Sequence, residues 1–264
     1  MNRHKPKKSL GQNFLRDLNV VAQILEAAQL DNTSAVVEVG PGEGVLTAPL
    51  ADIASRVIAI EVDEDLVARL RERFARNDTV VIHHADMRRV YLKELLANYN
   101  ISRYTVVANL PYYITSSIVR LFMENKDVPP ERLVLMVQKE VAQRIVATPG
   151  AMSILSVAVQ YYGDAQVVCT VPRTAFDPVP NVDSAVIAIT HHGVQTSAAE
   201  DAAFFRVVRA GFSARRKMMA KNLSSSLGIP RDVVHERMTQ CGIATTARAQ
   251  DLSITQWQCL AANM

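Results

Sequence analysis

Short apolar runs at residues 35–39, 56–61, 79–83, 104–108 and 132–138 alternate with stretches of helical periodicity. This alternation constrains the fold more than any other feature of the chain. Val20, Val21, Ile24, Leu25 and Ala28 recur at helical spacing before the first run. Leu66, Val67, Leu70 and Phe74 do so after the second, beside Arg69, Arg71, Glu72 and Arg73. Strands that are apolar nearly throughout must be covered on both faces, and alternation with helices places them in a parallel sheet, so the fold class is α/β. Two later segments, 165–171 and 184–190, read as strands joined by a loop carrying Pro172, Pro178 and Pro180, and are expected to form an antiparallel edge. The polar stretch 191–197 reads as a linker, after which only helical segments remain. The expected organisation is a domain at 1–192 and a small all-helical domain of three or four helices at 200–264.

Composition excludes several classes. The 264 residues carry 29 Lys+Arg and 26 Asp+Glu, a net charge of +3, so the whole chain is not a polybasic binder and any nucleic-acid surface must come from where the charge sits. Cys169, Cys241 and Cys259 are odd in number, widely spaced and without a C-x-x-C pair, which argues against a disulfide framework or a zinc site. They are expected to pack or lie idle in a reduced, cytoplasmic protein. No apolar run approaches the ~18 residues of a membrane span, and the basic start is not followed by the apolar core of a secretory signal.

The run Glu38-Val39-Gly40-Pro41-Gly42-Glu43-Gly44 ends the first strand and opens a helical stretch. Its small residues lie where a nucleotide-like ligand meets the carboxyl edge of a parallel sheet. The G-x-G-x-G spacing is neither the dinucleotide fingerprint nor a phosphate loop, which disfavours a pyrophosphate ligand. Glu61 ends the second strand, where a carboxylate can accept both hydroxyls of a ribose. Asp86 follows the third, where it can accept from an adenine amino group or cap a helix. Val62 and Met87, the next residues after these two acids, belong to the same expected set. A ribose and an adenine without phosphate describe S-adenosylmethionine.

Asn109-Leu110-Pro111-Tyr112 follows the fourth strand. An exocyclic amino nitrogen is a poor nucleophile because its lone pair is delocalised into the ring. The Asn109 side-chain carbonyl and a backbone carbonyl exposed by the bend at Pro111 can accept both amino hydrogens and free that pair. Tyr112 offers a stacking face for the base. No metal is needed, since the leaving group is already a sulfonium, and His83-His84 and His191-His192 lack partners at metal-ligand spacing.

These motifs resemble the ribosomal RNA adenine dimethyltransferase family, in its bacterial small-subunit form, over essentially the whole chain. Lys8-Ser9-Leu10-Gly11-Gln12-Asn13-Phe14-Leu15 is similar to the family's N-terminal motif, which implies that Gln12, Asn13 and Leu15 contribute to the cofactor pocket together with Gly40, Gly42 and Asn109. Residues 136–144 and 176–186 are similar to two longer signatures, and the second implies that Phe176 stacks on the target base. The chain departs from the common pattern at Ser117, Ser153-Ile154 and Met218-Met219. The resemblance implies a Rossmann-like class I S-adenosylmethionine-dependent methyltransferase fold and four methyl transfers to N6 of two adjacent adenosines near the 3′ end of small-subunit (16S) rRNA. It further implies S-adenosyl-L-homocysteine as product, action on a partly mature pre-30S particle late in assembly, and a monomer. Rival readings are an Erm-type enzyme acting on large-subunit rRNA, against which residues 176–186 argue, and a non-catalytic RNA-binding factor, against which intact Glu61 and residues 109–112 argue.

Charge distribution locates the expected RNA surface. Lys7 and Lys8 lie in an acid-free N-terminal stretch, and residues 202–231 carry Arg206, Arg209, Arg215, Arg216, Lys217, Lys221 and Arg231 without a single Asp or Glu. Neutralising phosphates with such residues releases counterions and makes binding salt-dependent.

Overall fold

A computed structural model describes residues 4–7, 10–214 and 216–264, and divides the chain into two compact units. The first comprises Met1–Ala142 and Gly163–Gly193, the second Gln143–Tyr162 and Val194–Met264.

Within the first unit the strands run β1 (Phe14–Leu15), β2 (Ala35–Val39), β3 (Arg56–Glu61), β4 (Val80–His84), β5 (Thr105–Asn109), β6 (Arg132–Gln138), β7 (Gly163–Val171), β8 (Phe176–Asp177) and β9 (Ser184–His191). The helices are α1 (Leu18–Ala28), α2 (Thr47–Ile53), α3 (Glu64–Arg73), α4 (Leu92–Ala97) and α5 (Thr115–Met123), and α6 (Lys139–Ile145) starts here as well. The main sheet has the order β4-β3-β2-β5-β6-β9-β7. Every pair from β4 to β6 is parallel, and β9 pairs antiparallel with both β6 and β7. As expected from their runs, β2 is buried along its whole length and β3 at all but its first residue. The chain proceeds outward from β2 through β3 to β4, then returns to place β5 on the other side of β2. Ligands of open α/β sheets bind at such a reversal, beside the carboxyl ends of the strands.

Local chemistry sets the helix limits. Asp17 caps α1 by accepting from the Asn19 amide at 2.9 Å, and Gln29 ends the helix in the left-handed region at φ 52°. Asp63 caps α3, whose first turn carries Glu64 and Asp65 and whose last carries Arg71 and Arg73, the charge order that complements a helix dipole. The two-residue strands β1 and β8 pair antiparallel, Phe14 against Asp177 and Leu15 against Phe176, and are too short to show a period in the sequence.

The second unit contains α7 (Ile154–Tyr162), α8 (Ala198–Gly211), α9 (Met219–Leu227), α10 (Arg231–Gln240) and α11 (Ile254–Ala262). Its expected start near residue 200 therefore needs correction. Met152 and Val157 are buried in one cluster with Phe204, Val207, Leu223, Met238 and Trp257. The hydroxyls of Tyr161 and Tyr162 donate to Asp201 at 3.1 and 2.7 Å, so α7 is bound into the helical unit by burial and hydrogen bonding that no linker composition reveals. Reciprocal capping boxes, Ser197 with Glu200 and Ser253 with Gln256, start α8 and α11. Gly211 is required by packing: a Cβ there would lie 2.5 Å from Cη2 of Trp257, which is fully buried.

The cysteine expectation also needs correction. Cys241, at the end of α10, and Cys259, in α11, form a disulfide with Cα atoms 5.7 Å apart. An odd count argues against a framework of bridges but not against a single pair, which folding brings together across 18 positions.

Candidate active site

One cavity in the first unit is lined by nearly every residue singled out for cofactor or catalysis: residues 10–16, the loop after β2, the ends of β3 and β5, residues 85–88, Tyr112 and Phe176. It is built from the chain outward. After β2 the backbone turns through Gly40 and Gly42 at φ 69° and 60°, a region that favours glycine. A Cβ at Gly40 would meet nothing within 4 Å, whereas one at Gly42 would press on the Phe14 ring at 3.2 Å. Gly40 thus leaves open space, and Gly42 allows β1 to close over the loop.

Glu61 is 5 % exposed, and its carboxylate accepts three backbone amides: Val62 and Asp63 at Oε1, both at 2.9 Å, and Gly42 at Oε2, at 3.1 Å. Burial pushes its pKa up against the pull of these bonds. An ionised carboxylate has about four acceptor positions, so Oε2 keeps one for a ribose hydroxyl. Val62, half-exposed, and Met87, buried, supply apolar wall. Asp86 caps the short turn Met87–Arg89, accepting from the Arg88 amide at 3.0 Å and from the Arg88 guanidinium, with Nη2 to Oδ2 at 2.6 Å. The guanidinium holds this carboxyl below its usual range, as an anion whose Oδ1 takes the Arg88 amide and Nε and whose Oδ2 takes Nη2 and a longer contact from Nε. The open cradle at Gly40, two acids in successive positions along the sheet edge and an apolar wall fit an adenosyl group.

Asn109 is the last residue of β5. Its Nδ2 donates to the backbone carbonyl of Asn13 at 3.1 Å. A carbonyl can only accept, so the amide is fixed with Oδ1 turned away from Asn13 and available to accept from a substrate. Leu110 is 2 % exposed and anchors the turn, while Pro111 (φ −55°, ψ 133°) directs the chain into a short 3₁₀ turn, Tyr112–Ile114. Tyr112 is half-buried and its hydroxyl bonds Ser184. Phe176 lines the cavity but is 4 % exposed and shares a core cluster with Leu15, Val171 and Val186, so most of its side chain is committed to packing.

The N-terminal segment differs from expectation. Lys7 was expected on phosphate, but its ammonium lies 2.6 Å from Asp63 and 2.7 Å from Asp65, and these bonds raise its pKa. The charge seen in the sequence is committed within the fold. Gln12 donates to Asp63 at 2.8 Å and accepts from the Lys7 amide at 2.8 Å, so it braces the segment across the cavity mouth. Sequence reasoning missed Asp63: its side chain is completely buried and gathers His4, Lys7 and Gln12. Two donors and the His4 ring converging from a segment more than fifty residues away leave no sequence pattern. Lys8 and Arg215 lie outside the described residues. In the second unit Arg206, Arg209, Arg216, Lys217 and Lys221 are all exposed, and among the described residues none of them forms an ion pair. Among the described residues there is also no cluster of metal-ligand type and no helix long and apolar enough to cross a membrane.

Residues 3–263 match the family model described as Ribosomal RNA adenine dimethylase. The chain is 43% identical over 257 residues to the Ribosomal RNA small subunit methyltransferase A of a Dehalococcoides mccartyi strain, covering 96% of this chain and 87% of that protein. It is 40% identical over 262 residues to the protein of the same name from Geobacillus thermodenitrificans, covering 96% and 89%. Among solved structures, the 23S rRNA methyltransferase ErmE superposes with a TM-score of 0.76 at 28% identity over 95% of this chain and 99% of that one. A dimethyladenosine transferase from Plasmodium falciparum gives 0.76 at 21%, covering 94% and 95%, and speaks for the fold alone.

Proposed function

We infer, from the premise that the chain belongs to the ribosomal RNA adenine dimethylase family, that it is an S-adenosylmethionine-dependent enzyme making N6,N6-dimethyladenosine at two adjacent adenosines in the 3′-terminal hairpin of small-subunit rRNA. The observation that carries the chemistry is the Asn109 amide, fixed by the Asn13 carbonyl so that its own oxygen is left to accept. The relatives named for the small subunit are 40–43% identical, against 28% for the large-subunit enzyme ErmE, which favours the former over the Erm-type alternative.

The cofactor supplies a methyl group on a cationic sulfonium and departs as S-adenosyl-L-homocysteine. We assign it to Gly40, Gly42, Glu61, Val62, Asp86 and Met87, with Gln12, Asn13, Leu15 and Asn109 closing the mouth. Glu61 would accept a ribose hydroxyl and Asp86 the adenine amino group. Asn109 Oδ1 and a backbone carbonyl at the Pro111 bend accept the hydrogens of the target N6, directing its lone pair into the cavity. Tyr112 stacks on the flipped base, and Phe176 flanks it. The nitrogen becomes acidic only as it gains the methyl, so its proton can pass to water. Arg216, Lys217 and Lys221, with Arg215, are proposed to contact rRNA phosphates. The substrate is proposed to be the pre-30S particle, met late in assembly in the cytoplasm by a monomeric enzyme.

The test is to incubate the protein with labelled S-adenosylmethionine and undermethylated small subunits or large-subunit RNA, and to map the labelled base. Label at two adjacent small-subunit adenosines is expected. Label on large-subunit RNA, or none, would overturn the reading.

A further inference from the structure

We propose that Ser184 positions the Tyr112 ring for stacking on the target base, a role that rests on the functional reading above and adds to it a residue of the 176–186 segment to which no role has been given. Ser184 is completely buried, and its hydroxyl lies 2.9 Å from the Tyr112 hydroxyl, 72 positions away in the chain. A buried hydroxyl needs a partner, and here it is the tip of a half-buried ring that lines the active-site cavity.

The anchor is rigid. Ser184 is the first residue of β9 and is paired on both sides, with Gln138 of β6 and Val171 of β7. The preceding residue is tied as well: the Asp183 carbonyl accepts the Lys139 amide at 3.0 Å, and its carboxylate accepts the Arg173 amide at 3.0 Å. At its other end the tyrosine is held by the turn after Pro111. A ring fixed at both its Cα and its hydroxyl has its long axis set, and only the tilt about that axis remains. Without the Ser184 bond the ring would retain its apolar area but lose its fixed axis across the cavity. The turn Arg173–Ala175, fixed by the same Asp183, leads directly into Phe176, so both aromatic walls take their position from one corner of the sheet.

The experiment is a double-mutant cycle with Ser184→Ala, Tyr112→Phe and the pair, measuring kcat and the KM for S-adenosylmethionine on undermethylated small subunits, with thermal melts alongside. Each single variant is expected to lower kcat about tenfold, the size of one positioning hydrogen bond, with the KM for the cofactor within about twofold of wild type and the pair no worse than either. Losses that multiply in the pair, a Ser184→Ala kcat near wild type, or a loss carried by the cofactor KM would each overturn the proposal. Tyr112→Phe removes the bond without touching the buried serine, so a folding defect in Ser184→Ala does not shelter the idea. A wild-type protein that labels no small-subunit adenosine would overturn the functional reading and this inference with it, an outcome visible before any variant is compared.

Discussion

Replacing Asn109 by aspartate separates two jobs that alanine would remove together. The Asn109→Asp side chain keeps an acceptor for the substrate amino group, but it puts a second oxygen where Nδ2 now donates to the Asn13 carbonyl at 3.1 Å. The lost bond and the unpaired carbonyl together cost about 1–3 kcal/mol. Borne entirely by acceptor placement, that is about a 5- to 150-fold fall in kcat at 1.36 kcal/mol per tenfold. Asn13 and Asn109 are both only partly buried, which places the expectation in the lower half, near tenfold. The sign of the pH dependence is diagnostic. A carboxyl facing a carbonyl is stabilised when protonated, because its O–H can then donate where the amide did, so its pKa is raised above the ordinary ~3.9. The competent form exists below that raised value, and activity relative to wild type should recover as pH falls through it. The assay is kcat at saturating cofactor between pH 5 and 8. A wild-type rate throughout would refute the orienting role of Asn13. A loss independent of pH and matched by a rise in cofactor KM would show that Asn109 holds the cofactor rather than the base.

Further outcomes follow from other sites. Gly211→Ala inserts a Cβ 2.5 Å from Trp257. Overpacking of about 1–3 kcal/mol should exceed the ~1 kcal/mol gained in helix propensity, lowering the melt by a few degrees in the fluorescence of this single tryptophan, and an unchanged melt would contradict the packing account. Burial lifts the Glu38 carboxyl to about 8 from 4.5, so its stabilising proton is fully present below the unfolded value and lost as pH rises through about 8. Denaturation midpoints should therefore fall between those limits more steeply in wild type than in Glu38→Gln, and parallel curves would be the contrary result. Asp63→Asn should loosen the segment bearing Lys7 and Gln12, raising the KM for S-adenosylmethionine several-fold while kcat at saturation stays near wild type. An unchanged KM would detach that network from cofactor binding.

The central sheet was legible because β2, β3, β5 and β6 lie in the middle of a two-sided layer, where burial forces long apolar runs. Glu61, Asp86 and Asn109 were legible for a related reason: ligands of open α/β sheets bind beside the carboxyl ends of the strands. What escaped depended on distant partners. Lys7 reads as a free cation until the fold brings Asp63 beneath it, α7 reads as part of the first domain until its burial among the later helices is known, and the Cys241–Cys259 bond joins two helices whose spacing in the sequence is unremarkable. Asp86 caps a turn, one of the two roles the sequence allowed, and lines the cavity.

The pairing of β1 with β8 also has a consequence for the order in which the site comes into being. Phe14, whose ring lies against the glycine loop, finds its strand partner only at Asp177. During synthesis the β2 loop, Glu61 and the Asn109 turn can all be in place while the cavity still lacks its roof. A nascent chain stopped before residue 177 would carry the glycine loop, Glu61, Asp86 and the Asn109 turn and an open site, so cofactor retention should switch on late and abruptly as the chain lengthens. Phe14, made long before its partner strand, is in this sense among the last residues to acquire its function.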